Sequence, residues 1–247
     1  MIETVYAALA RNDLAAMRAH VVEDVEIVER LEVPGARRYR GIDDWERGYA
    51  EEAETIDDFH VDLIGVEELG GHCVADVVIR MRGKGSGAEV EERLAHLVDF
   101  DGERITRWRA FSALEEARAV ARVECIAELY GMWARGEVEG AIARVHPDIE
   151  WTEPEETIGA QRRLGREGAL EGIEQWSQSF DSYDGELTGI EAVAETVMVE
   201  FVQRVRAGGS AVELENRLFH VWWFRDGVPA KMTMYFDRER ALREAAG

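Results

Sequence analysis

The chain repeats itself. Shifting the 247-residue sequence by 124 positions aligns it with itself, without a gap over most of its length. Tyr6 falls on Tyr130, Asp24 on Asp148, Glu26 on Glu150, Glu29 on Glu153, Gly41 on Gly165 and His96 on His220. The stretch Glu89-x-Glu91-x-Arg93-Leu94-x-His96 returns as Glu213-x-Glu215-x-Arg217-Leu218-x-His220. Roughly a quarter of the aligned positions are identical, against about one in fifteen by chance. Solenoid repeats run to about 20–50 residues, so a period this long makes each copy a whole domain. The expected division is residues 1–119 and 120–247.

The second copy shows the element order most plainly. Ile126, Leu129, Tyr130 and Trp133 have helical spacing, and Gly136 ends the run. A short helix over 138–145 and a strand over Asp148–Glu153 follow, then a loop and a helix over 166–179. Strand-like runs cover Gly185–Ala192, Thr196–Arg206, Ala211–Phe224 and Val228–Phe236, with Arg225-Asp226-Gly227 as the last turn. A helix over Arg238–Ala246 closes the copy. Helices first and antiparallel strands after predict an α+β fold. Between the copies, Ala113–Trp133 is dominated by Ala, Glu, Arg and Leu, which predicts a helical junction.

Charge narrows the partners. The net charge is −22, divided as −11 over residues 1–123 and −11 over residues 124–247. Nucleic acid and anionic membranes would be repelled by it, so neither is expected as a partner. No apolar run is long enough for a spanning helix, and Met1-Ile2-Glu3-Thr4 does not open like a secretory leader. Two cysteines, Cys73 and Cys125, are too few for a disulfide framework, and the expected location is the cytoplasm. The six histidines show no metal-ligand spacing, so neither metal nor cofactor is expected. Gly83-Lys84-Gly85-Ser86-Gly87 lies between two strand-like runs and reads as a hairpin turn.

Alternate side chains of a strand point to opposite faces. One face of the long strand of copy two carries Val212, Leu214, Asn216, Leu218, His220, Trp222 and Phe224, and should look inward. The matching face of copy one carries Val90, Glu92, Leu94, His96, Val98 and Phe100. Phe219, Val221 and Trp223 face the other way and suggest a sheet-to-sheet contact. In Ile149-Glu150-Trp151-Thr152-Glu153, an inward Trp151 brings Glu153 inward with it; Ile27 and Glu29 are the counterparts. A carboxylate facing an imidazole across a dry cavity suits proton shuttling or water activation. The bland alternatives are a hydrogen-bonded core histidine, and carboxylates paired with Arg162, Arg163, Arg37 or Arg38.

These residues also carry a family resemblance. Leu129-Tyr130-Gly131-Met132-Trp133-Ala134-Arg135-Gly136, Asp148–Pro154, His220-Val221-Trp222 and Tyr235-Phe236-Asp237-Arg238-Glu239 resemble SnoaL-like domains of the nuclear transport factor 2-like superfamily. The resemblance covers each copy and implies a cone-shaped α+β barrel, with N-terminal helices packed on a curved, mainly antiparallel sheet. Within that superfamily, Glu153 and Glu29 stand where ketosteroid isomerase has its carboxylate base, although Arg30 replaces the proline that follows Glu153. His220 and His96 stand where that isomerase has an acidic oxyanion-hole donor. The isomerase's tyrosine position is taken by Leu129 and Val5, with Tyr130 and Tyr6 one residue along, about 100° around the helix. The Asp-Arg-Asp set of limonene epoxide hydrolase is replaced by His220, Leu218 and Met234, so neither activity is implied.

The catalytic candidates are therefore Glu153, His220, Glu29 and His96. Trp133, Trp151, Asn216, Leu218, Trp222 and Tyr130 are expected to line the pocket of copy two, and Glu92 to pair with His96 in copy one. The expected ligand is a small hydrophobic molecule, handled by general acid/base chemistry of isomerase, cyclase or hydrolase type. A non-catalytic binder or a dimerisation module is the alternative, with the two copies forming an intramolecular pseudo-dimer or the chain a homodimer.

Overall fold

A computed structural model describes residues 1–157, 159–207 and 213–247. It divides into two compact units, Met1–Ala121 and Arg122–Gly247. The first contains α1 (Ile2–Ala10), α2 (Leu14–Arg18), β1 (Val21–Val28), β2 (Arg38–Arg40), α3 (Ile42–Ala53), β3 (Ile56–Leu69), β4 (His72–Gly83), β5 (Glu89–Asp101) and β6 (Arg104–Phe111). The helix α4 (Leu114–Ala134) runs unbroken from the first unit into the second. There follow α5 (Val138–Ala143), β7 (Glu150–Thr152), β8 (Arg162–Leu164), α6 (Gly165–Gln178), β9 (Phe180–Val193), β10 (Thr196–Ala207), β11 (Glu213–Arg225), β12 (Val228–Tyr235) and α7 (Arg238–Ala246).

Each unit folds around a six-stranded sheet, β2-β1-β6-β5-β4-β3 in the first and β8-β7-β12-β11-β10-β9 in the second. Every pairing is antiparallel except β1 with β6 and β7 with β12, so each is an α+β domain on a mainly antiparallel sheet. The hairpin between β11 and β12 turns at Asp226 and Gly227, both with positive φ, the type I′ geometry that follows strand twist. The Lys84–Ser86 stretch is a turn between β4 and β5, as its glycines suggested.

In the second unit the strand β9 begins at Phe180, five residues before the apolar run that announces it. Asp181–Asp184 are exposed and show no alternation, but Ser182–Asp184 pair with β10 as far as Arg206. Ala211 and Val212, read as the start of the next strand, lie outside the described residues. Leu214 and Val90, read as inward, are exposed, because the strand outruns the helices that cover its other end.

The first half of α4 repeats as α7: Ala117 and Ala121 fall on Ala241 and Ala245, and all four are buried. The helix thus fuses the closing turns of one copy to the opening turns of the next. This corrects the reading of the Phe219–Trp223 face. Phe219 and Val221 are buried with Met198 and Tyr235 against Ala241 and Ala245, with Trp223 packed at the edge. A sheet face with three large apolar groups needs a cover, and the chain's own closing helix supplies it.

The two cores use one plan with a permuted volume. Across β5 and β6, Val98 pairs with Trp108; across β11 and β12, Trp222 pairs with Met232. The indole has moved to the neighbouring strand, yet each tryptophan still packs edge-on against the helix tyrosine, Tyr6 or Tyr130. Neighbours in a sheet can exchange large and small residues when the summed volume is kept.

Candidate functional site

A cavity of about 760 Å³ opens inside the second unit. Its floor is aromatic: Tyr130 and Trp133 from α4, Trp151 from β7 and Phe201 from β10. Trp133 sits 4.7 Å from Tyr130 and 5.9 Å from Trp151, centroid to centroid, with both pairs edge-on. Trp176 from α6, Tyr183 and Leu187 from β9, Leu218 and His220 from β11 and Met234 from β12 complete most of the wall. Glu153, Pro154 and Thr157, after β7, stand in the same wall. Glu153 and His220 therefore share one cavity.

His220 is fixed from behind. Its Nδ1 lies 2.5 Å from the Tyr130 hydroxyl oxygen, which also accepts from Trp222 Nε1 at 3.3 Å. Were Nδ1 protonated, the buried Tyr130 proton and the Nε2 lone pair would both go unpaired. A Tyr130 hydroxyl donating to Nδ1 leaves one unpaired group, the Nε2 proton, and is the cheaper arrangement. Nε2 is buried without a partner, as is Nε1 of Trp133, another wall residue. Burial lowers the His220 pKa to about 3, so the ring is neutral at pH 7, and burial raises that of Tyr130. The result is a neutral imidazole with one unspent N–H, backed by a phenol and an indole.

Glu153 is fixed from the side. Its Oε2 accepts from the backbone N–H of Gln161 at 3.2 Å, and its Oε1 lies 3.6 Å from Nε of Arg163. Copy one repeats the geometry with other chemistry: Glu29 accepts from the Arg37 backbone N–H and from the Tyr39 hydroxyl, both at 2.8 Å. The Arg163 contact anticipated from sequence is present, whereas Arg38 gives way to Tyr39 in the first unit.

The first unit keeps the tyrosine–histidine pair, with Tyr6 Oη 2.6 Å from His96 Nδ1. Burial, with the nearby Arg30 charge, lowers the His96 pKa to about 4. Glu92 does not pair with His96; it takes Arg30 in a two-pronged ion pair, both contacts 2.6 Å. A guanidinium fork matches a carboxylate and so outcompetes a neutral ring. Copy two has Pro154 and Asn216 at those places and lacks the pair. A second concavity, about 750 Å³, lies in the first unit among Arg18, Glu23, Asp24, Glu26 and Asp43. It has no aromatic wall, and Arg18 is engaged by Asp43 at 2.6 Å and Glu46 at 3.1 Å.

Of the residues singled out from sequence, Glu153, His220, Trp133, Trp151, Leu218 and Tyr130 line the cavity. Trp222 is fully buried behind the wall as the Tyr130 donor. Asn216 pairs across the sheet with Gln203, and Gln203 is the member that reaches the cavity. Gln203, Phe201 and Trp176 were missed. Phe201 and Gln203 alternate with Val197, Val199 and Val205 on one face of β10, so a face-by-face reading of that strand finds them.

The SnoaL-like domain model matches the chain twice, over residues 2–108 and 126–231. No curated protein matches it. Among solved structures, an NTF2-like protein from Burkholderia thailandensis is 25% identical, covering 46% of this chain and 88% of its own, with a TM-score of 0.42. An NTF2-like protein of unknown function from Burkholderia pseudomallei is 17% identical over 47% of this chain and 89% of its own, with a TM-score of 0.42. A Catenulispora acidiphila protein with a ketosteroid isomerase-like fold, solved with trimethylamine, is 19% identical over 46% and 85%, with a TM-score of 0.41. Each of these structures covers about half of this chain. With its two matches covering most of its length, the chain belongs to the SnoaL-like domain family, with two such domains in tandem.

Proposed function

We propose that the second domain binds a small, largely apolar molecule bearing a carbonyl oxygen and catalyses proton transfer at the neighbouring carbon. The observation that carries this reading is the shared cavity of Glu153 and His220, in which the imidazole's spare N–H is the one group of the pair without a partner. Glu153 takes the proton from the carbon beside the carbonyl. The electron pair moves onto the carbonyl oxygen, and His220 Nε2–H hydrogen-bonds the developing enolate. Glu153 then returns the proton to the same carbon or a conjugated one. A neutral donor suits this step, since it stabilises negative charge without surrendering its proton. The aromatic floor supplies affinity through apolar burial and ring contacts.

The test needs no physiological substrate. 2-Tetralone, a bicyclic ketone of fitting size, is incubated with the protein in D₂O and its deuterium uptake beside the carbonyl is followed by NMR. Exchange above background is expected, with Glu153→Gln lowering it about 10²–10⁴-fold and His220→Ala about 10²-fold. Wild-type exchange in Glu153→Gln would sink the reading. A non-catalytic binder is the second reading, favoured by the partners already held by both Glu153 oxygens. It predicts quenching of the wall tryptophans by the ketone, with no deuterium uptake.

A further inference from the structure

Outside the cavity wall, one side chain is placed as though Glu153 were its purpose. Arg163 lies on β8, paired in register with Trp151 of β7, and its side chain is only 9% exposed. Its Nη2 donates to Gln175 Oε1 at 2.9 Å, and its Nε, buried without a hydrogen bond, faces Glu153 Oε1 at 3.6 Å. A guanidinium cannot shed its proton, so burying one is expensive unless an anion stands beside it. Glu153 is that anion.

The helix α6 is cut to admit it. A Cβ at Gly172 would lie 2.7 Å from Cδ and Nε of Arg163, and one at Gly168 would lie 3.5 Å from its Cβ. Four residues apart, the two glycines share a helix face and form a groove for the arginine stem. The first unit repeats the device: a Cβ at Gly48 would lie 2.5 Å from the Tyr39 ring, whose hydroxyl holds Glu29. In both copies the carboxylate is met by the backbone N–H eight residues on and the side chain ten residues on. Only the second copy makes that side chain a cation.

We propose that Arg163 is the positioning residue of Glu153, held in the Gly168–Gly172 groove so that the carboxylate keeps one orientation toward the cavity. This rests on the reading of Glu153 as the base. Arg163 is not in the wall, so it acts on turnover and not on binding. Its removal frees a carboxylate otherwise held at one oxygen by the Gln161 N–H, and misplacement by about an ångström costs on the order of 100-fold in rate.

The test is 2-tetralone exchange by the full chain. Arg163→Leu is expected to lower kcat about 100-fold with KM within about twofold, and Arg163→Lys to recover most of the loss. Gly172→Ala displaces the guanidinium without removing its charge; Gly172 itself lines the cavity, so KM is read beside kcat, and kcat should fall in a protein that still unfolds cooperatively in urea. Arg163→Leu or Gly172→Ala exchanging at the wild-type rate, while Glu153→Gln does not, would overturn the proposal alone. So would an Arg163→Lys protein as slow as Arg163→Leu with an equal loss of Tm, which marks a merely structural arginine. A silent Glu153→Gln overturns the reading of the base, and the proposal falls with it.

Discussion

The two buried histidines make stability depend on pH in a way that can be worked out residue by residue. In the unfolded chain each imidazole takes up a proton near 6.5, while in the folded chain His220 holds it off to about 3 and His96 to about 4. Between those limits the unfolded state binds more protons, so stability rises with pH and is lost as pH falls from about 6.5. Integrated from pH 7 to pH 5, each histidine costs about 2 kcal/mol, nearly the same for both because pH 5 is still above either folded value. The side chains in contact with His220, Tyr130 and Phe201, are neutral, and burial sets its share. The assay is urea unfolding followed by far-ultraviolet circular dichroism at pH 7 and pH 5. His220→Asn, which still offers Tyr130 an acceptor, should lose about 2 kcal/mol less than wild type over this interval in the second domain's transition. Imidazole ¹⁵N spectra should show His220 as the neutral Nε2–H tautomer throughout. An equal pH loss in the variant, or a His220 that titrates near 6.5, would refute both the burial argument and the donor role assigned to Nε2.

Three further outcomes follow from the geometry. Trp222→Val removes a fully buried indole and should cost about 3 kcal/mol; adding Met232→Trp, the arrangement of the first domain, should restore part of it in the same urea assay. Gly185→Ala places a Cβ against the Phe201 ring, so Phe201 must swing, and 2-tetralone affinity measured by tryptophan quenching should fall several-fold. Arg30→Gln removes a charge that disfavours protonated His96, so the His96 ring should titrate at higher pH by NMR while His220 does not move.

What the sequence disclosed and what it withheld divide along a physical line. The duplication, the element order and the inward histidine rest on periodicity, which survives in any window of the chain. The partner of that histidine rests on three dimensions. Tyr130 stands one residue from the position at which the resemblance expects a tyrosine, and on a helix wheel one residue is about 100°. Yet its hydroxyl reaches His220, and the same holds for Tyr6 and His96. A wheel projects Cβ directions; it does not measure how far a side chain travels. The Arg163 contact shows the complementary limit. Spacing suggested an arginine near Glu153, but its burial was decided by two glycines on another element, and nothing local in Gly168-Ala169-Leu170-Glu171-Gly172 announces that an arginine will lie across it. Glycines spaced four apart are silent until the chain that fills them is known. The same silence explains the cavity: the two copies share the tyrosine, the histidine and the carboxylate, while the second has Gly185 and Phe201 where the first has Val61 and Val77. Candidate chemistry was inherited by both domains, and the space to use it is written in the residues around it.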